Sequence, residues 1–274
     1  MKIGSREFDT ENKTYIMGIL NVTPDSFSDG GKFNSIDNAL KHAENMIKDG
    51  ADIIDVGGES TRPGYTLIPD DEEIKRVVPV IEALVKEFDV PVSIDTYKSA
   101  VAKAAVEAGS TLVNDIWGFK YDTKIADVVA NTGVACCLMH NRDLEKNPYD
   151  NYLADVLSDL QESVNIAHRA GVADDRIILD PGVGFGKDLN MNLQITNNLE
   201  LLSILGYPVL LGTSRKSMIG LTLDVPVGER MEGTVATSVI GVIKGCSFVR
   251  VHDVKENKRA VQMTEAILNS SGVL

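Results

Sequence analysis

Apolar residues recur along the chain in two alternating patterns. Short runs rich in β-branched residues read as strands: Tyr15 to Val22, Asp52 to Gly57, Val92 to Thr96, Thr111 to Ile116, Val134 to His140, Ile177 to Asp180, Pro208 to Gly212 and Phe248 to His252. A longer amphipathic stretch follows each run and reads as a helix. The first of these shows its punctuation plainly: Ser35 is placed to cap it, Ala39, Ala43, Met46 and Ile47 form one apolar face, and Gly50 stops it. Strand then helix, repeated eight times, is the rhythm of a parallel sheet. Such units either open into a doubly wound sheet or close on themselves, and a count of eight favours closure. The expected fold class is therefore α/β, a single (β/α)8 TIM barrel, with residues 1–274 forming one domain.

In such a barrel the working groups sit at the C-terminal ends of the strands and in the loops beyond them. The chain places Asn21, Asp95, Asn114, Asp115, His140, Asp180, Arg250 and His252 at strand ends, with Lys216 just past the seventh strand. Any one of the Asp or Asn residues could simply cap the next helix. Capping does not explain why Asp95, Asn114 and Asp180 lie inside apolar strand endings, VSIDT, TLVND and IILDP. Burying such groups costs several kcal/mol unless a neighbour or a ligand completes their hydrogen bonds. Acceptors and donors converging there, with Lys216, suit a flat, amide-rich heterocycle. Arg62, Arg250 and His252 supply cations at other strand ends, and Asn21 among Thr and Ser residues offers oxygen to a hard metal ion. Together they point to a substrate bearing diphosphate. The longest irregular stretches, Thr23 to Phe33 and Glu59 to Pro69, follow the first two strands as loops over that site, with Glu59 expected to brace the second.

Composition narrows the partners. A formal net charge of −13 and the lack of a basic stripe oppose nucleic-acid binding. No apolar run is long enough to span a bilayer and the N-terminus lacks an apolar leader core, so a cytoplasmic protein without membrane contact is expected. Cys136, Cys137 and Cys246 are odd in number and have no CxxC spacing, so they read as buried strand residues, not as a disulfide or zinc framework. His42 and His168 fall in helical patterns and read as surface or packing residues, whereas His140 is open between a structural and a functional role.

The glycine-rich stretch from Pro181 to Lys187, PGVGFGK, is not a phosphate loop, because Pro181 stands where the first glycine of that motif belongs and no Ser or Thr follows the lysine. Nor do its glycines match the spacing of a dinucleotide site. It reads instead as a turn carrying Phe185 to the barrel mouth.

Six segments taken in order resemble the signature segments of dihydropteroate synthases: MGILNVTPDSFSDGG (Met17 to Gly31), DVGGESTRPG (Asp55 to Gly64), IDT (Ile94 to Thr96), LDPGVGFGK (Leu179 to Lys187), GTSRKS (Gly212 to Ser217) and RVHD (Arg250 to Asp253). The resemblance implies transfer of an alkyl group in folate biosynthesis, in which (7,8-dihydropterin-6-yl)methyl diphosphate and 4-aminobenzoate give 7,8-dihydropteroate and diphosphate, with Mg2+ assisting. It also implies roles: Asp95, Asn114, Asp180 and Lys216 for the pterin; Arg62, Arg250 and His252, with Thr61, for the diphosphate; Asn21 for the metal; and Thr61, Pro63, Phe185 and Ser217 for 4-aminobenzoate. Asp95, Asp180, Lys216 and Thr61 are the expected catalytic residues. The residue types suit an SN1-like route that needs no protein nucleophile. Two other readings share the barrel: a pterin-binding methyltransferase domain and a non-catalytic pterin-binding relative. The stretch from Glu229 to Lys244 presents Val235, Ala236, Val239, Ile240, Val242 and Ile243 around most of its circumference, so a homodimer through this helix is expected.

Overall fold

A computed structural model of the chain describes residues 1–23, 32–59 and 67–270. A short antiparallel hairpin, β1 (Lys2–Ile3) and β2 (Arg6–Glu7), precedes the main sheet. The sheet consists of β3 (Tyr15–Asn21), β4 (Ile53–Gly57), β5 (Val92–Asp95), β6 (Leu112–Asp115), β7 (Ala135–Met139), β8 (Ile177–Asp180), β9 (Leu210–Leu211) and β10 (Phe248–Val251). These eight strands lie side by side in the order β8-β7-β6-β5-β4-β3-β10-β9, all parallel. A parallel bridge between Leu179 and Val209 brings the two edge strands together, which makes the sheet a nearly closed (β/α)8 barrel. Every strand anticipated in the sequence is present, with ends shifted by a residue or two.

The connecting helices are α1 (Lys32–Lys48), α2 (Asp70–Glu87), α3 (Ser99–Glu107), α4 (Lys124–Thr132), α5 (Tyr152–Ala170), α6 (Leu189–Asn197), α7 (Ser217–Leu223), α8 (Met231–Ile243) and α9 (Val254–Leu268). Helix α1 begins at Lys32, so Ser35 lies within its first turn and is not its cap.

Strand alternation divides the apolar residues into two cores. Outward residues such as Ile16, Leu20, Ile54, Val56, Val113 and Leu179 pack under the helices. Gly18 allows this approach, since a β-carbon there would stand 2.9 Å from the Met46 sulfur of α1. Inward residues Met17, Ile53, Leu112, Ala135, Cys137, Ile178, Leu210 and Phe248 fill the lower barrel, and Ile3 and Phe8 of the N-terminal segment close it from below. Cys136 and Cys137 are buried in β7 as expected; Cys246 is also buried, but in the turn before β10. The upper interior is polar, and that change of character along the barrel axis positions the site.

Candidate active site

At the C-terminal ends of neighbouring strands, register aligns Asn21 with Gly57, Gly57 with Asp95, and Asp95 with Asn114. Glycine in the second place keeps this row open: a β-carbon at Gly57 would lie 3.4 Å from Asn21 Oδ1 and 3.8 Å from Asp95 Oδ2. One step lower, Asp55 faces the same interior. Arg250 reaches in from β10, its Nε donating to Asp55 Oδ2 at 2.6 Å and its Nη2 to Asp95 Oδ2 at 2.6 Å, while Asn114 Nδ2 donates to Asp55 Oδ2 at 3.2 Å. The other oxygens, Asp55 Oδ1 and Asp95 Oδ1, are buried without a hydrogen-bond partner among the described residues.

Electrostatics follow from this crowding. Burial raises Asp95 to about 7, assisted by the neighbouring Asp55 charge and opposed by Arg250. Burial also raises Asp180, against the attraction of Lys216 and a 2.7 Å hydrogen bond that Asp180 Oδ1 accepts from Gly182 N. Lys216 drops to about 8, chiefly by burial. Its ammonium donates to the Val183 carbonyl and stands 4.5 Å from the centre of the Phe185 ring. Phe185 packs in turn with Tyr97, Ile116, Met139 and Trp117, which form an apolar wall beside the polar row.

His252 lies nearby, its Nδ1 3.0 Å from Ser214 Oγ, which also accepts from the His252 main-chain N–H at 3.1 Å. Ser217 is exposed at the first turn of α7. Thr61, Arg62 and Pro63 lie outside the described residues. The structure thus gathers Asn21, Asp95, Asn114, Asp180, Lys216, Arg250, Phe185 and His252 around one mouth. Asp115 belongs elsewhere: it points outward and accepts from the main-chain N–H groups of Trp117 and Phe119, each at 2.8 Å, as a turn cap. His42 and His168 are exposed, and His168 pairs with Asp174 on the surface.

One residue and one arrangement were not anticipated from the sequence. Asp55 carries the same signal that singled out Asp95, a carboxylate inside an apolar strand, IIDVG, and in phase with the inward Ile53. The arrangement is the polar chain behind the β8–α6 turn. There His140 Nε2 lies 3.0 Å from Asp159 Oδ2, Arg142 holds Asp159 through two bonds at 2.9 and 3.0 Å, and Lys187 Nζ lies 2.8 Å from His140 Nδ1. His140 is held down to about 4 by burial, so it is neutral at physiological pH, and its ring is buried between Asp159 and Lys187. Glu59 braces the second loop as expected, accepting from Ile68 N at 2.9 Å, Lys98 Nζ at 2.7 Å and the Tyr97 hydroxyl at 2.5 Å.

The upper barrel interior thus presents buried polar acceptors, and comparison with known proteins identifies the family. The family model for pterin binding enzymes matches residues 17–252. The dihydropteroate synthase of Clostridium beijerinckii is 64% identical over 269 residues, covering 98% of this chain and 99% of the relative. The chain belongs to the dihydropteroate synthase family. A crystal structure of the dihydropteroate synthase of Clostridium difficile, solved in the presence of pteroic acid, superposes with a TM-score of 0.93 at 51% identity, over 96% of this chain and 100% of that one. The Xanthomonas albilineans dihydropteroate synthase, solved with 4-aminobenzoic acid, superposes with a TM-score of 0.90 at 41% identity, over 95% of each chain. As a dihydropteroate synthase the protein is a transferase of folate biosynthesis, and the comparisons favour neither the methyltransferase nor the non-catalytic reading. Among the described residues no helix is long and apolar enough to cross a membrane.

Proposed function

We propose that the chain joins (7,8-dihydropterin-6-yl)methyl diphosphate to 4-aminobenzoate with the pterin ring seated in the slot between Asp95, Asn114, Asp180 and Lys216. The observation carrying this assignment is the pair of buried oxygens, Asp55 Oδ1 and Asp95 Oδ1, that have no partner among the described residues. Buried acceptors are almost always satisfied, so a ligand rich in N–H groups belongs there. Asp180 accepts from a second edge of the ring, and Lys216 Nζ serves its acceptors. The relatives solved with pteroic acid and with 4-aminobenzoic acid support both substrate classes.

The reaction then follows an SN1-like route. The methylene C–O bond breaks, the diphosphate leaves with the electron pair, and the positive charge spreads over the pterin. Asp95 and Asp180 stabilise that charge from fixed positions, which is more effective than reorganising water. Arg62, His252 and Thr61 hold the leaving group, and Arg250, now bound to Asp55 and Asp95, turns its remaining donors toward it. The amine of 4-aminobenzoate attacks the cation through its lone pair, and the new C–N nitrogen then releases one proton to the departed diphosphate or to solvent. Phe185, Pro63, Thr61 and Ser217 position that amine and exclude water.

Among the described residues no cluster of three or more His, Cys, Asp or Glu residues is arranged for a metal ion. Mg2+ seldom needs one, since it keeps waters and takes its other ligands from substrate phosphates. A single carboxamide oxygen, Asn21 Oδ1 at the edge of the row, fits that mode. When bound, Mg2+ would neutralise charge on the departing diphosphate. The direct test is to mix the protein with both substrates and Mg2+ and measure dihydropteroate and diphosphate; a protein that binds pterin without turnover refutes the proposal.

The homodimer rests on α8, which is built inside out. Its buried side is mostly small and polar, with Thr234, Ser238 and Gly241 inward beside Val242 and Ser238 Oγ donating to Asn257 Oδ1 at 2.7 Å, whereas Ala236, Ile240 and Ile243 are exposed. An exposed apolar stripe of this kind marks a protein contact. Light scattering at micromolar concentration should give the mass of a dimer, and Ile243→Glu should give a monomer. The cytoplasm is the expected compartment, and cell fractionation tests it.

A further inference from the structure

The β8–α6 turn, residues 181–188, reverses sharply: Gly182, Gly184 and Gly186 all take positive φ, at 68°, 87° and 53°. Side chains cannot enter at two of these points, because a β-carbon at Gly182 would stand 1.8 Å from the His140 carbonyl and one at Gly186 2.5 Å from the Arg142 carbonyl. A turn so dependent on glycine has little stiffness of its own. Its stiffness comes from polar contacts. Gly184 N donates to Asn192 Oδ1 at 2.6 Å, the Tyr149 hydroxyl donates to the Gly186 carbonyl at 3.1 Å, and Lys187 Nζ donates to the carbonyls of Gly182 and Phe185, both at 2.9 Å.

The third contact of that ammonium is His140 Nδ1 at 2.8 Å. Burial lowers Lys187 to about 7, so near pH 6 the amine is charged; with three protons and no lone pair, all three are used and His140 Nδ1 is the acceptor. The proton of the neutral ring is then on Nε2, donated to Asp159, whose other bonds come from Arg142. Lys187 therefore ties the carbonyl of Phe185 to a rigid chain of partners on the β7 side of the barrel. Lys216 grips the same turn from the other side through the Val183 carbonyl.

We propose that Lys187 is a positioning residue for the reaction: its ammonium, seated on His140, pins the turn so that the Phe185 ring faces the 4-aminobenzoate pocket. The proposal rests on the placement of Phe185 against 4-aminobenzoate. Misplacing a positioning group by about 1 Å can cost on the order of a hundredfold in rate. Lys187→Met should therefore raise the KM for 4-aminobenzoate by about tenfold or more while the KM for the dihydropterin diphosphate stays nearly unchanged.

Rescue separates the ammonium from the packing of its stem. Lys187→Cys alkylated with 2-bromoethylamine restores an ammonium of the same length, and the native cysteines, at 0%, 0% and 2% exposure, are shielded from the reagent. Recovery of the 4-aminobenzoate KM is expected. Equal rises in both KM values, or no recovery, would overturn the proposal. If Lys187→Met fails to fold, nitrogen NMR of the unmodified protein at about pH 6 decides, since His140 must be neutral with its proton on Nε2; a proton on Nδ1 sinks the idea. Phe185→Ala distinguishes the two layers of the argument. Unchanged 4-aminobenzoate KM in that variant removes the Phe185 assignment, whereas a large rise there with none in Lys187→Met removes only the clip.

Discussion

The two ends of the barrel solve opposite problems. At the bottom Phe8 stacks edge-on against Tyr15 with ring centres 4.8 Å apart and lies 5.8 Å from Phe248, so the floor is closed by aromatic surface. At the top, carboxylates are buried beside one another, two of their oxygens lack partners among the described residues and one acid is pushed up to about 7. The bottom gains stability from every contact, while the top holds charge that only a ligand completes. Stability and function are thus separated along one axis, as expected for a fold whose active sites sit at one face.

Substitutions can break or sharpen this contrast. The largest effect on stability is expected at the bottom: Phe8→Ala should cost about 3–5 kcal/mol in denaturant unfolding, as aromatic truncations in cores do, and leave pterin affinity intact. A loss of affinity without a loss of stability would reverse the assignment of the two ends. At the top the pattern inverts. Asp180→Asn should weaken pterin binding by about 2–4 kcal/mol in calorimetry, because an amide cannot accept from two N–H groups as a carboxylate does. Its unfolding free energy should fall by less than that of Phe8→Ala, since the lost attraction to the buried Lys216 is partly offset by removal of a buried charge.

A smaller effect concerns the link between the two substrates. If diphosphate draws Arg62 and its loop into place, adding diphosphate and Mg2+ should tighten 4-aminobenzoate binding by about 1–3 kcal/mol, and the reverse by the same factor. Arg62→Ala should reduce this coupling and spare binding of the bare pterin ring. Equal 4-aminobenzoate affinity with and without diphosphate would refute the coupling.

The smallest and broadest effect is on pH. Burial raises both Asp95 and Asp115 to about 7, above the ordinary carboxylate range near 4. Between those limits the folded protein keeps protons that the unfolded chain has released, so these two acids make stability fall as pH rises from about 4 to about 7, while His140, held down to about 4 by burial, acts in the opposite sense up to its ordinary value near 6.5. Asp159 is held low by His140 and Arg142 against burial, and its contribution is lost only below that window. The slope of melting temperature against pH in this window should therefore be more positive in Asp95→Asn than in the unmodified protein. A slope unchanged in that variant would show that Asp95 ionises freely.

The repeat of strand and helix was legible because it depends on local periodicity, and so were the polar strand ends, because Asp95, Asn114 and Asp180 interrupt apolar runs. The hairpin at Lys2–Ile3 and Arg6–Glu7 is too short to show a period, and only the floor it covers gives it a purpose. Phase along a strand could have picked out Asp55, whereas no local rule could assign Arg250 to it. Those residues are 195 positions apart, and Arg250 and Asp95 are 155 apart. Likewise, PGVGFGK announced a turn, yet that Lys187 would meet His140, 47 residues away, follows from β7 and β8 being neighbours. What the sequence determined by itself was periodicity, turn chemistry and the position of polar groups at strand ends, all encoded within a few residues. Which of those groups face one another, which oxygens stay unpaired and which cation they share were decided by closure of the barrel, because only closure brings distant strand ends within hydrogen-bonding reach.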